Sequence, residues 1–405
     1  MKIRSITSFY DPASPLAGRH LKRLAEVNVI LNTTLSQHLA VQSTRLATTP
    51  FPLYLDELST PQKVATIARL EKETISLGWQ YLALGPALPD QPWSYEIIPE
   101  LIGQTENAFF SAVIAEGNAL YPAAVLAGAH IIHRTARLSA DGFANLRFAA
   151  LANVAPWTPF LPAAYHRADA TPAISIAVEC ADAVIDAFSK DCPLEECRQS
   201  LLTVLESTAG RLEAMLLPIL DGTGIKFAGF DFYPAPFPED WCSLAGAVER
   251  LGLEHIGGFG SLAAVAFIAD TLDRGNWRKA GFNGMMLPLL EDSVLAKRTA
   301  EGLLSVKDLM LYSTLCGTGL DTIPLAGDTT IEQLQSVLMD IGAISIRLGK
   351  PLTARLMPIP GKFIGNLTGF DFAFFANSRV LTLEGQPLDR FLTQKDPIQI
   401  QPRIL

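Results

Sequence analysis

The sequence predicts an α/β protein of ten or so strands joined by crossover helices. Two observations carry that prediction. Short β-rich runs alternate with longer stretches of helical periodicity, the order expected of parallel strands and their crossovers. The 405 residues are 49% hydrophobic and 18% charged, with a mean hydropathy of +0.25, which points to elements buried on both faces.

The strand candidates are, in order, residues 3–9 (IRSITSF), 41–48 (VQSTRLAT), 80–85 (QYLALG), 109–115 (FFSAVIA), 145–151 (NLRFAAL) and 173–179 (AISIAVE). They continue with 225–232 (IKFAGFDF), 282–288 (FNGMMLP), 309–315 (LMLYSTL), 353–358 (TARLMP) and 378–383 (SRVLTL). Between them, Leu194, Cys197, Leu201, Leu205, Leu212 and Met215 recur at helical spacing. Thr60 before Pro61 reads as an N-cap with proline at the first helical position, Thr329 with Glu332 as a capping box, and Ser261 as a cap after a glycine-rich stretch. Periodicity leaves a closed barrel and an open doubly wound sheet equally open. No linker cuts the chain, so one large domain over 1–405 is expected, with the polar bridge SKDCPLEE dividing pseudo-halves 1–190 and 191–405.

Composition narrows the partners. No run of about 18 uncharged apolar residues is present, so no membrane span is expected. The opening MKIRSITSF reads as a strand and lacks the apolar core of a secretory signal. A net charge of −9 opposes nucleic-acid binding, which needs a basic surface. Five cysteines, an odd number with no close framework, argue against a disulfide scaffold and make a reducing cytoplasm the expected setting. So apolar a chain also suits a homo-oligomer.

Chemistry is expected beyond the carboxyl ends of strands, where parallel α/β folds bind ligands. In LYSTLCGTGLDTIPLAGDTT, Cys316 follows a strand candidate, Gly317 and Gly319 let the backbone turn and aim amides inward, and Asp321 and Asp328 follow. Such amides could lower a thiol's pKa; a small buried cysteine in a tight turn is the plain alternative. Glu291 and Asp292 fall where a helix begins. Adjacent acids there suit a divalent cation or acid–base work, and equally suit the helix dipole. Asp231 ends a strand inside an aromatic, proline-rich loop. Arg355 and Lys362 flank a strand end, where an arginine can clamp a carboxylate or phosphate or form a structural ion pair. Arg45 and Arg147 stand within apolar strands, where a charge needs a partner or a cavity. His130 and His133, at i and i+3, match no zinc motif, nor does the Cys192–Cys197 spacing. A histidine to activate Cys316 would have to be His166 or His255.

The phrases GFNGMMLPLLED, YSTLCGTGLDTIPLAGDT and KPLTARLMPIPGK, in that order, resemble the uncharacterised bacterial and archaeal family known as domain of unknown function 711 (UPF0210). VQSTRLAT, ANLRFAALANVAPWTPFLPAAYH and FDFYPAPFP resemble its earlier motifs, so the likeness covers nearly the whole chain. The resemblance implies a ten-stranded α/β barrel like that of the glycyl-radical enzymes pyruvate formate-lyase and anaerobic ribonucleotide reductase. Helices lie outside it and a loop threads the interior. Cys316 is the fold-level counterpart of their loop cysteine. The glycyl-radical signature is missing: SIRLGKPL lacks the aromatic residue after glycine. Radical chemistry is therefore not expected. The family pattern matches Glu291, Asp292, Cys316, Gly319, Asp321, Gly327, Asp328, Arg355 and Lys362. The expectation is an enzyme whose interior pocket holds a small anionic metabolite through Arg45, Arg147 and Arg355. Cys316 would be nucleophile or acid–base group, with Asp321, Glu291 and Asp292 as proton carriers or ligands of a divalent cation. A non-catalytic small-molecule sensor and a metal-dependent hydrolase or lyase are the rivals.

Overall fold

The computed structural model describes residues 1–189, 191–386 and 388–403. Its strands are β1 (Lys2–Tyr10), β2 (Thr44–Thr48), β3 (Tyr81–Ala87), β4 (Ala108–Glu116), β5 (Ala119–Leu120), β6 (Phe148–Ala152), β7 (Ala173–Glu179), β8 (Lys226–Tyr233), β9 (Gly319–Ala326), β10 (Leu352–Ile359) and β11 (Ile398–Gln399). They form one mixed sheet in the order β8-β7-β1-β2-β3-β4-β6-β10-β9, with β5 and β11 beside β4. β1, β2, β3, β4 and β6 run parallel. β7 with β8, and β9 with β10, are parallel pairs that run the other way. The two directions meet at the antiparallel β1/β7 and β6/β10 ladders. The alternation of strands and helices thus reads correctly within each group, and, apart from the two-residue strands β5 and β11, the described chain reverses the sheet direction in residues 153–172.

No regular ladder joins the end strands β8 and β9 among the described residues. The irregular segment 278–290 lies between them and bonds to both. Phe230 N–H donates to the Arg278 carbonyl (2.7 Å) and Ala280 N–H to that of Phe230 (2.8 Å). At the other end, Gly317 N–H donates to Met285 (2.6 Å) and Leu289 N–H to Asp321 (3.0 Å).

Period-2 alternation sorts the strand residues onto two faces. Ile6, Leu46, Leu82 and Phe110 join the large core shared with the long helices, among them Ala17–Leu35 through Leu24 and Leu31. Phe9, Ala47, Ala83 and Ala173 face the other way and pack against Leu161 and Ala164. Ala149, Leu151 and Ala177 do the same against Phe160 and Ala163. Small residues on this face leave room for the connecting segment 157–164 to lie against it, and Ala163 and Ala164 are fully buried there.

Several sequence expectations need correction. Residues 309–315 are no strand: Ser305 and Asp308 form a capping box that starts the helix Val306–Ser313. Leu-Met-Leu-Tyr is a short apolar run that periodicity cannot assign, and the cap decides it. The strand instead is β9, hidden in the glycine-bearing stretch after Cys316. Residues 282–288 and 378–383 form no regular ladders, and the latter are held by bridges such as Leu325 to Leu381. The helix Ile331–Leu348 is capped by Thr330 with Gln333, the helix Thr60–Ser76 by Ser59 with Gln62, and the helix Ser261–Asp273 follows Gly260. Arg147 closes a 3-10 turn, Phe143–Arg147, just before β6. Cys192 and Cys197 form a disulfide at the start of the helix Leu194–Leu220, a local staple that the cysteine count did not suggest. Among the described residues no helix is long and apolar enough to cross a membrane.

Candidate functional site

A cavity of about 150 Å³ opens on the small-residue face of the sheet. Its charged walls come from distant parts of the chain: Arg4 on β1, Arg45 on β2, Asp321 on β9, Arg355 on β10 and Glu291 from the turn after 278–290. Tyr81, Phe109, Phe160 and Met286 supply the apolar wall, and Phe372 and Phe374 cover one side. Those two rings belong to a cluster with Phe143, Phe370 and Phe375, with ring centroids 5.0–6.1 Å apart.

Arg355 is the hub. Its Nε donates to Asp321 Oδ1 (2.5 Å), its Nη2 to Glu291 Oε1 (3.2 Å) and its Nη1 to the Leu146 carbonyl (3.4 Å). Burial alone would lower the guanidinium's pKa, but the two carboxylates outweigh it and the pKa rises. Glu291 also meets Arg4 Nη2 (3.4 Å), and Arg4 pairs closely with Glu179 at the carboxyl end of β7. Even so, burial raises the Glu291 pKa beyond what Arg355 and Arg4 restore, and the nearby Asp321 adds to the rise. The result is a chain of charges, Glu179–Arg4–Glu291–Arg355–Asp321, of which all but Glu179 line the cavity.

Arg45 stands apart from that chain. It is 8% exposed, donates from Nε to Ser43 Oγ (3.0 Å) and from Nη1 to the Pro159 carbonyl (3.1 Å), and among the described residues has no carboxylate within ion-pair distance. Burial lowers its pKa to about 10, with the like charge of Arg4 adding and Tyr233 opposing. Three guanidiniums therefore face the cavity against two carboxylates on its wall, and Arg45 is the cation left for something else to meet.

Other flagged residues lie elsewhere. Cys316 is 1% exposed, belongs to the large core, and does not line the cavity. It precedes the amino end of β9 and does not follow a strand's carboxyl end; its Sγ accepts from Gly319 N–H at 3.4 Å. Gly317 is pressed against Gly284, where a Cβ would come within 3.0 Å of backbone, and Gly319 has φ +97° with a Cβ site 2.4 Å from the Thr353 carbonyl oxygen. Both glycines serve chain packing. His166 is fully buried, with its pKa lowered by burial to about 4, and bonds to Trp157 (3.1 Å). His255 contacts the Ile256 carbonyl.

Asp292 points away from its neighbour Glu291. Its carboxylate caps two helices, accepting from Val294 and Leu295 N–H at one and from Ser243 Oγ and Ala245 N–H at the other. It is therefore not a partner of Glu291 around a cation. Asp321 is held by Arg355 instead, and among the described residues no group of three His, Cys, Asp or Glu side chains could hold a metal ion. Asp231 accepts from Phe282 N–H (3.1 Å) and Asn283 N–H (2.7 Å), tying 278–290 to β8. Arg147 donates to the Ile102, Thr105 and Ala108 carbonyls around the end of the helix Ile98–Gly103. Asp328 is exposed, and Lys362 contributes a carbonyl that receives Gly327 N–H. The structure thus gathers Arg45, Glu291, Asp321 and Arg355, and leaves out Cys316, Gly317, Gly319, Asp231, Arg147, Asp292, Asp328 and Lys362.

Sequence reading missed Arg4, Glu179 and Tyr233. The signal that marked Arg45, a charge inside an apolar strand, is equally present for Arg4 in IRSITSF and Glu179 in AISIAVE. The site also breaks the carboxyl-end rule. It lies at the amino ends of β1 to β4 and the carboxyl end of β8, which run oppositely, with Asp321 and Arg355 entering from within β9 and β10.

A family model described as "Uncharacterised ACR (DUF711)" matches residues 1–374. A UPF0210 protein of Pyrobaculum aerophilum is 32% identical over 55% of this chain and 52% of its own length, so the chain spans about half of that relative. UPF0210 proteins of Pyrobaculum islandicum and Syntrophobacter fumaroxidans are each 26% identical, over 81% and 88% of this chain and 75% and 81% of their own.

Proposed function

We propose, for a chain that belongs to the DUF711 family, that the interior cavity is the site of an enzyme that binds a small anionic metabolite on Arg45 and moves a proton through Glu291. The observation that carries this reading is Arg45, a buried guanidinium on the cavity wall with no carboxylate of its own among the described residues. A buried charge needs a partner, and an anionic ligand supplies one. Glu291 faces the same cavity, and burial raises its pKa, a perturbation of the kind that marks proton carriers. Cys316 has no part in this scheme.

A non-catalytic binder is the second reading. It is favoured by one feature: Glu291 and Asp321 are both already bonded to Arg355. The same proposal takes the sheet as a closed barrel of the pyruvate formate-lyase type. What supports that is the segment 278–290, bonded to both end strands as a tenth element, and the segment 157–164 lying inside.

The test is a thermal-shift and calorimetric screen of small carboxylates and phosphates, followed by a search for turnover of any binder. Arg45→Gln is expected to weaken anion binding roughly 100-fold. Glu291→Gln is expected to retain binding and lower turnover about 100-fold or more. Anion binding that is indifferent to Arg45 overturns the site. Binding without turnover leaves the sensor.

A further inference from the structure

Resting on that reading, we infer that the ligand is a small monocarboxylate carrying a flat unsaturated ring, an aryl carboxylate in preference to an aliphatic one. The observation is the row Arg45, Tyr81, Phe109 across three neighbouring strands. Arg45 and Tyr81 are direct partners in the parallel β2/β3 ladder, so their side chains leave the sheet side by side on one face. On β4, Phe109 pairs with the small Ala83, two positions beyond Tyr81. The Tyr81 and Phe109 rings meet edge to face, with centroids 5.6 Å apart and planes at 89°. All three side chains line the cavity, and both rings are only half-buried. The protein therefore sets uncovered aromatic surface directly beside the guanidinium that has no carboxylate of its own among the described residues.

Aromatic surface left open in an interior cavity is stabilised by being covered, and ring edges and faces favour a further ring over a flexible chain. Phe160, Phe372 and Phe374 line the same space, and the last two are also half-buried. The cavity volume of about 150 Å³ matches that of an apolar protein cavity, about 150 Å³, that takes up benzene. It admits one six-membered ring and little more. Charge selects the head group. Arg4 and Arg355 are met by Glu179, Glu291 and Asp321, which leaves the single charge of Arg45 to a single carboxylate.

The experiment is calorimetry of the full chain with benzoate, cyclohexanecarboxylate, propionate and inorganic phosphate. Benzoate is expected to bind at least about tenfold tighter than propionate. It should also bind about fivefold tighter than cyclohexanecarboxylate, whose ring has as many carbons and no π face. Tyr81→Leu should weaken benzoate at least about fivefold while leaving propionate within about twofold. Phe109→Leu should do the same, and it guards against misfolding of the first variant. Benzoate no tighter than propionate, cyclohexanecarboxylate equal to benzoate, or a benzoate preference unchanged in both variants overturns the inference while leaving Arg45 as an anion site. No binding of any carboxylate, together with no binding of inorganic phosphate, overturns the anion site as well.

Discussion

Asp231 shows how a carboxylate can look functional in a sequence and act on the backbone in the fold. It is fully buried, and burial raises its pKa from 3.8 to about 7 against the two backbone N–H groups that favour its charge. A raised folded-state pKa means that the unfolded chain gives up this proton at lower pH. The stability it contributes is complete below about pH 3.8 and lost as pH rises through about 7. Urea denaturation at half-unit steps from pH 4 to 8 should show a falling midpoint that is flatter in Asp231→Asn. Equal slopes in the two proteins would contradict the assignment. Glu291 and Asp292 carry the complementary lesson. Both were legible as important acids, yet one faces the cavity and the other caps two helices. Adjacent residues point in directions that only the packed elements decide, so sequence reading found the pair and could not divide it.

At the scale of elements, Gly319 at the start of β9 lets that strand lie against β10. Gly319 has φ +97° and pairs with Thr353 across the parallel ladder. Gly319→Ala adds both left-handed strain and a clash with the Thr353 carbonyl, and should lower stability by about 2 kcal/mol or more. Gly210→Ala, at an exposed helical position with open space around its Cβ, should instead leave stability unchanged or raise it by up to about 1 kcal/mol. Urea titration of the two variants checks the contrast. Strands with long apolar alternation were legible to within a few residues; β7 falls where AISIAVE predicts it. β9 was not, because its glycine and two polar residues imitate a loop and its burial on every position comes from neighbours distant in sequence.

Across the whole molecule, the ion-pair chain joins β1, β7, β9, β10 and the turn at Glu291, elements that no local interaction would bring together. Glu179→Gln leaves the Arg4 guanidinium with its weaker partner and should cost roughly 3 kcal/mol of global stability, read as a lower denaturation midpoint. The α/β class was legible from alternation and composition; the set of strands was legible only in part, since residues 282–288, 309–315 and 378–383 form no regular strand and β5, β9 and β11 were not foreseen. The reversal of direction was not, since a connection leaves the same local pattern whichever way the next strand runs. The segment 278–290 has one more consequence. Because it bonds to Phe230 of β8 and Asp321 of β9, while Leu381 bridges the far part of β9, neither end strand presents an uninterrupted row of free backbone groups. A second molecule finds no template there for adding a strand, so the irregular stretch also protects the protein against edge-to-edge aggregation.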